Sequence, residues 1–306
     1  MNDRDLLDAL APTAETLLHR HYDLAKEWFP HDLVPWSQAR DFEPGWEWDP
    51  AEATVDPAVR SALFVNLLTE DNLPYYFATL ARVFGDGVWG VWARRWTAEE
   101  GRHALVIRDW LTATRAIDPV ELERARMEQV SSGIVPEPQT AADAIAYVAL
   151  QELATRVSHR NTGKLLDDPA GEAVMKRVAA DENLHYLFYK DLAVAAIELD
   201  PSGMVLAIER QVVGFEMPGT GIRDFRRHAL AIAAAGIYDL GLHHSEVLAP
   251  VVLRQWRLEQ LTGLSDEAET ARDRTLRHMA RLESAGRRMT SRRDEKRGAK
   301  ADAAAS

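Results

Sequence analysis

Two strings of the form Glu-x-x-His stand out in the chain: Glu100-Gly101-Arg102-His103 and Glu182-Asn183-Leu184-His185. Residues three apart on a helix share a face, so each string turns one carboxylate and one imidazole the same way. A single match carries little weight in a chain with 10 His and abundant Glu, because short motifs recur by chance. The surroundings carry more. Glu70 lies in Asn66-Leu-Leu-Thr-Glu-Asp-Asn-Leu-Pro74, and Glu152 in Tyr147-Val-Ala-Leu-Gln-Glu-Leu-Ala-Thr155, each 30 residues ahead of its string. Both halves then read as a helix with Glu, a turn, and a helix with Glu-x-x-His. Apolar neighbours at helical spacing put Glu70 and Glu152 on buried faces. Glu99 stays open between a solvated face and the site.

Two such antiparallel hairpins would bring four carboxylates and two imidazoles to one point. That donor set is the known one of ferritin-like di-iron and di-manganese bundles. Two divalent ions bring four positive charges and four carboxylates bring four negative ones, so a buried site comes out near neutral. Oxygen and imidazole donors without thiolate suit iron, with manganese as the alternative.

The elements that must position these groups are helical. Apolar residues recur at three- and four-residue steps through 5–25, 57–83, 88–114, 139–165, 168–198, 221–241, 243–261 and 266–288. Breaks fall at Asp56-Pro57, Gly85-Asp86-Gly87, Asp118-Pro119, Asp168-Pro169, Asp200-Pro201 and Gly263. Period-two strand patterns are scarce. Residues 29–50 read as a loop rich in Pro, Asp and Trp, packed over the bundle by its aromatics. Pro74 interrupts the helix ladder four residues after Glu70, which predicts a kink there. The expectation is an all-α chain: one ferritin-like domain over 1–289, with a four-helix core and added N- and C-terminal helices, then a disordered basic tail over 290–306.

Composition sets limits. With 306 residues, 46% of them hydrophobic, the chain can bury a sizeable core. The net charge of -12 argues against nucleic acid as a partner. There are no cysteines, which removes disulfides, thiolate zinc sites and iron–sulfur clusters together. The longest apolar run, 229–238, is far short of the roughly 20 residues that cross a bilayer, and the first twelve residues lack signal-peptide character. A cytoplasmic location follows as the expectation. All basic residues but Lys26, Lys164, Lys176, Lys190, Lys296 and Lys300 are Arg.

At these residues the sequence resembles the soluble acyl-acyl-carrier-protein (acyl-ACP) desaturases, in an actinobacterial-like branch. The similarity runs from about Trp28 to Ser265 and is carried by Trp96-Thr-Ala-Glu-Glu-Gly-Arg-His103, Gln151-Glu-Leu-Ala-Thr-Arg-Val-Ser-His159, Asp181-Glu-Asn-Leu-His185 and Leu261-Thr-Gly-Leu-Ser265. The resemblance implies two iron ions held by Glu70, Glu100, His103, Glu152, Glu182 and His185, with Glu100 and Glu182 bridging. It implies that Thr155 assists at the oxygen-binding side, that Asp181 orients His103 and that Trp28 hydrogen-bonds Asp181. Thr79, Arg82 and Val83 correspond to channel-lining positions. The implied activity is O2- and ferredoxin-dependent insertion of a cis double bond into an acyl chain on acyl carrier protein, by a homodimer. Gly101 and Leu184 depart from the family pattern without removing a ligand. The alternatives are another di-iron oxidase, such as a hydroxylase or N-oxygenase, or a low-activity iron-binding paralogue. A ribonucleotide reductase subunit fits less well, since its first ligand is usually Asp. An iron-storage shell fits less well because its chains are generally much shorter.

Overall fold

The computed structural model describes residues 1–304, with side chains at all of these positions except 52 and 296–304. Every regular element among the described residues is helical. In chain order the α-helices are α1 (Asp3–Leu24), α2 (Pro30–Leu33), α3 (Pro57–Glu70), α4 (Leu73–Phe84), α5 (Val88–Ala113), α6 (Pro119–Ser132), α7 (Ala141–Lys164), α8 (Pro169–Leu199), α9 (Pro201–Val213), α10 (Phe225–Ala235), α11 (Leu240–Leu242) and α12 (Asp266–Ala304), with short 3-10 turns at Trp36–Gln38, Pro50–Glu52 and Leu258–Gln260. Between α11 and α12 the chain winds as a π-helix over His243–Gln255.

The Asp-Pro breaks are N-caps. Asp56, Asp118, Asp168 and Asp200 each accept a backbone N–H of the first turn, and the following Pro occupies a position that has no N–H to lose. Between Glu70 and Leu73 the helix breaks for two residues, so the single expected helix over 57–83 is two, α3 and α4, with Pro74 in the first turn of α4. Apolar periodicity does not predict α6 and α9. α6 is mostly exposed and therefore shows almost no apolar stripe, and α9 follows α8 across a single Asp.

α3, α5, α7 and α8 form the four-helix core of a ferritin-like bundle, with α7 and α8 packed along their whole length. α1 lies across α8 and α5, α10 against α3, and α12 against α9. Apolar side chains gather in two clusters. One is built on α1, α7, α9, the π-helix and the C-terminal half of α8; the other on α3 and on facing halves of α5 and α8. They meet at residues 99–103 of α5 and 181–185 of α8, where charged side chains take the place of apolar ones.

The loop over 29–50 packs by its aromatics as expected: the Arg115 guanidinium lies over Phe42 and Trp46, and Trp48 Nε1 donates to the Arg115 carbonyl at 2.9 Å. Residues 290–304 of the expected tail lie within α12. Good helix formers without proline extend it, and Arg293 ties it back by a 2.8 Å ion pair to buried Asp239. Residues 305–306 of the expected tail lie outside the described residues. Among the described residues no helix is long and apolar enough to cross a membrane.

Two glycines separate packing from propensity. A Cβ on Gly171 would lie 2.6 Å from the ring of buried Trp110, whereas one on Gly101 meets only Leu73 Cδ2 at 3.9 Å. Gly171→Ala should cost about 1–3 kcal/mol, and Gly101→Ala should add about 0.5–1 kcal/mol. Denaturant midpoints moving opposite ways would bear this out; a shared direction would contradict it.

Candidate metal centre

Helical spacing delivers one carboxylate from each core helix and an imidazole from two of them. Glu70 closes α3; Glu100 and His103 sit one turn apart on α5; Glu152 lies on α7; Glu182 and His185 lie one turn apart on α8. All six are buried. Their donor atoms fall into two groups, Glu70, Glu100, His103 and Glu182, and Glu100, Glu152, Glu182 and His185, each with all atoms within 4.8 Å of one another. Glu100 and Glu182 belong to both. This is the arrangement in which two carboxylates can bridge two cations.

Each histidine is aimed by a carboxylate from the opposite string. His185 Nε2 donates to Glu99 Oε2 at 2.9 Å, which leaves Nδ1 facing Glu100 Oε1 at 2.8 Å and Glu152 Oε2 at 3.6 Å. His103 Nε2 lies 3.5 Å from Asp181 Oδ2, with Nδ1 3.2 Å from Glu100 Oε2 and 3.4 Å from Glu182 Oε1. The residue just before the Glu of each string therefore orients the other string's imidazole, and at metal sites such partners fix tautomer and ring direction. Trp28 Nε1 donates to Asp181 Oδ2 at 2.8 Å, the contact expected from the resemblance. Arg102 and Arg177 also pair with Asp181.

The electrostatics match a site built for cations. Burial and the charge of Glu182 raise Glu100 from its ordinary value near 4.5 to about 7. Burial, Glu182 and Glu100 push Glu152 well up. Burial would lower the two imidazoles, but Glu100 and Asp181 at His103, and Glu100, Glu152 and Glu99 at His185, lift both well above the ordinary histidine value. Asp181 is held at about 2 because its bonds to His103, Arg177 and Trp28 outweigh its burial. Within this knot Glu100 Oε1, Glu152 Oε2 and His185 Nδ1 have no directed hydrogen bond despite full burial. Buried polar atoms without hydrogen bonds that converge on one point are what a bound cation would satisfy.

Further side chains hold the carboxylates from outside. Trp96 Nε1 donates to Glu152 Oε1 at 2.9 Å, Thr155 Oγ1 donates to Glu182 Oε2 at 2.9 Å, and His159 Nε2 donates to Glu70 Oε1 at 3.1 Å. Thr155 also reaches the carbonyls of Gln151 and Glu152, so it both closes its own helix turn and touches the site. The motifs leave Glu99 open and do not point to His21 or His159. Glu99 is buried between His185, His21 and Arg95. Its place before Glu100, matching that of Asp181 before Glu182, was a readable signal. So was the seven-residue step from Glu152 to His159, which returns to the same helix face. Nothing local marks His21, which arrives from α1.

An apolar cavity of about 450 Å³ reaches the centre at Glu70, Thr155 and His159, and runs outward between α3, the end of α9, α10 and α12. A small pocket of about 30 Å³ lies on the other side of Thr69 and Glu70, lined by Thr79, Trp96 and Tyr147. Of the three expected channel positions, Thr79 lines this small pocket. Arg82 is exposed, 3.8 Å from Glu137, because its helix position faces outward, and Val83 packs against the apolar cluster that includes α1.

Against known proteins, the family model described as fatty acid desaturase matches residues 2–305. A Mycobacterium tuberculosis protein named as an acyl-[acyl-carrier-protein] desaturase, DesA1, is 42% identical over 284 residues, covering 89% of this chain and 84% of its own. The stearoyl-[acyl-carrier-protein] 9-desaturase of Simmondsia chinensis chloroplasts is 28% identical, covering 90% of this chain and 74% of its own. The X-ray structure of DesA2 from M. tuberculosis, titled as an acyl-ACP desaturase, superposes with a TM-score of 0.69 at 27% identity, over 84% of this chain and 98% of that one.

Raised pKa values set the pH response. Glu100, Glu152, His103 and His185 all bind protons more tightly folded than unfolded. Their contribution to stability is therefore full at low pH and is lost as pH rises through the folded values. Metal-free protein should melt several degrees lower at about pH 8 than at about pH 5.5. Divalent metal should bind more tightly over the same rise, since it displaces those protons. Scanning fluorimetry with and without ferrous ion checks both signs.

Proposed function

The chain belongs to the fatty acid desaturase family, and on that premise we propose that it inserts a cis double bond into an acyl chain carried on acyl carrier protein, at two iron ions held by Glu70, Glu100, His103, Glu152, Glu182 and His185. The observation that carries the reading is that the two donor groups share Glu100 and Glu182. Independent metal sites would have no reason to overlap. The charge count supports it too, since four carboxylates balance two divalent ions in a place where unbalanced charge is costly. When bound, iron supplies the oxidising power, drawn from O2, that an unactivated methylene requires. Manganese fits the same donors.

The chain's own part is positioning. Glu99 and Asp181 keep both imidazole Nδ1 atoms turned inward. Trp96, Thr155 and His159 hold carboxylates whose remaining oxygens face the centre. Thr155 Oγ1 is the hydroxyl that lines both the acyl cavity and the Glu182 carboxylate, and so can hold a proton between them. The apolar cavity binds the acyl chain by burial and excludes water. Its volume lies within the range of small-molecule sites. A chain lying in it passes Thr155 and Glu70, and the small pocket beside Thr79 is room for the end beyond. The absence of cysteine leaves electrons to an external donor, a ferredoxin or its equivalent, and the proposed assembly is a homodimer.

Iron-loaded protein given reduced ferredoxin, O2 and a panel of acyl-ACPs should yield a monounsaturated acyl chain, identified by mass spectrometry. Glu182→Ala removes an oxygen donor from both groups and should abolish the product and bound iron together. A mutant with unchanged product would show that these six residues are not the ligands.

A further inference from the structure

On the face of α7 and α8 turned away from the centre lies a second groove, of about 430 Å³, lined by Arg156, Arg160, Lys164 and Lys176 around a floor of Gly163 and Ala179. Among the described residues Glu172 is the only carboxylate lining it. Among the described residues none of these four cations forms an ion pair, although the chain as a whole carries a net charge of -12. Arg156 is crowded: burial and the like charge of Arg160 lower its pKa. Unpaired cations gathered in one concavity of an acidic protein make a local field that draws anionic partners.

Position narrows the partner. Arg156 follows Thr155 and Arg160 follows His159, and Asn183, also lining the groove, follows Glu182. The groove is thus separated from the carboxylate centre by the α7–α8 pair alone, about 10–12 Å of helix. Among the described residues none lines both this groove and the apolar cavity, and α7 stands between them. An acyl chain delivered here has no way in, whereas an electron crosses that thickness without an opening. A second copy of the chain fits poorly, because a twofold contact would set the same cations against each other.

We propose that this groove is the docking site for a small acidic one-electron carrier protein that reduces the metal pair through α7 and α8. The proposal rests on the oxidase reading above. The balance requires such a partner. Removing two hydrogens from the acyl chain and reducing O2 to two waters consumes two further electrons and two protons. Two successive carriers, each oxidised by one electron, supply the electrons, and solvent supplies the protons.

The test uses full-length protein and the exposed cations, in the reversal R160E/K164E/K176E and the milder R160Q/K164Q/K176Q, both checked by thermal melting. Binding of a plant-type [2Fe–2S] ferredoxin and of acyl carrier protein is measured by calorimetry on metal-free protein. Ferredoxin Kd should rise about tenfold or more in the reversal and less in the neutral variant. Wild-type binding should weaken as salt rises from about 0.02 to 0.2 M, and carrier-protein binding should stay unchanged. With iron loaded, ferredoxin-driven product should fall while product driven by dithionite holds. Unchanged ferredoxin affinity, or an equal loss for the acyl carrier protein, overturns the proposal. Failure of the functional reading looks different: wild type then makes no unsaturated product with either reductant, whatever the binding data show.

Discussion

Four carboxylates crowded into a buried space repel one another and lose their water, and the rest of this molecule is arranged around that cost. Folded without a cation, the cluster relieves it by sharing protons with the two histidines, which is why Glu100 and Glu152 shift up while Glu70 shifts down against its burial under the hydrogen bonds of His103 and His159. Two divalent ions would remove the need for those protons. The helices that carry the cluster are held by apolar clusters above and below it, so burial of Leu, Val and Trp supplies the free energy that brings like charges together.

Outside the donors a ring of fixed contacts converts proximity into direction. Glu99 and Asp181 exchange partners across the pseudo-twofold, each orienting the other string's imidazole. One layer farther out the symmetry holds for the arginine four residues before each carboxylate, Arg177 at Asp181 and Arg95 at Glu99, and ends at the ring partner, which is Trp28 for Asp181 and His21 for Glu99. α1 and the segment after it supply one partner on each side, so an element outside the four-helix core fixes the geometry within it. The C-terminal third does a different job. α10, α12 and the π-helix cover what would otherwise be an open flank of α3 and α7, and the apolar cavity is the space they enclose.

Legibility followed the range of the interactions. Helix starts were readable because an Asp-Pro pair caps its own helix within three residues. The equal interval between each single Glu and its string was readable because helix geometry turns spacing into direction. α6 was not, since an exposed helix carries little apolar pattern. The helical extension of α12 depends in part on Arg293 meeting Asp239, 54 positions away.

By itself the sequence determined the donor types, their pairing on helix faces and the exclusion of thiolate chemistry, all properties of single residues or of neighbours within a turn or two. Only the tertiary structure decided that His21 and His159 reach the site, and that a wall of α7 divides an apolar cavity from a cationic groove. Those facts depend on how helices distant in sequence pack, and packing is set by the whole set of buried side chains at once.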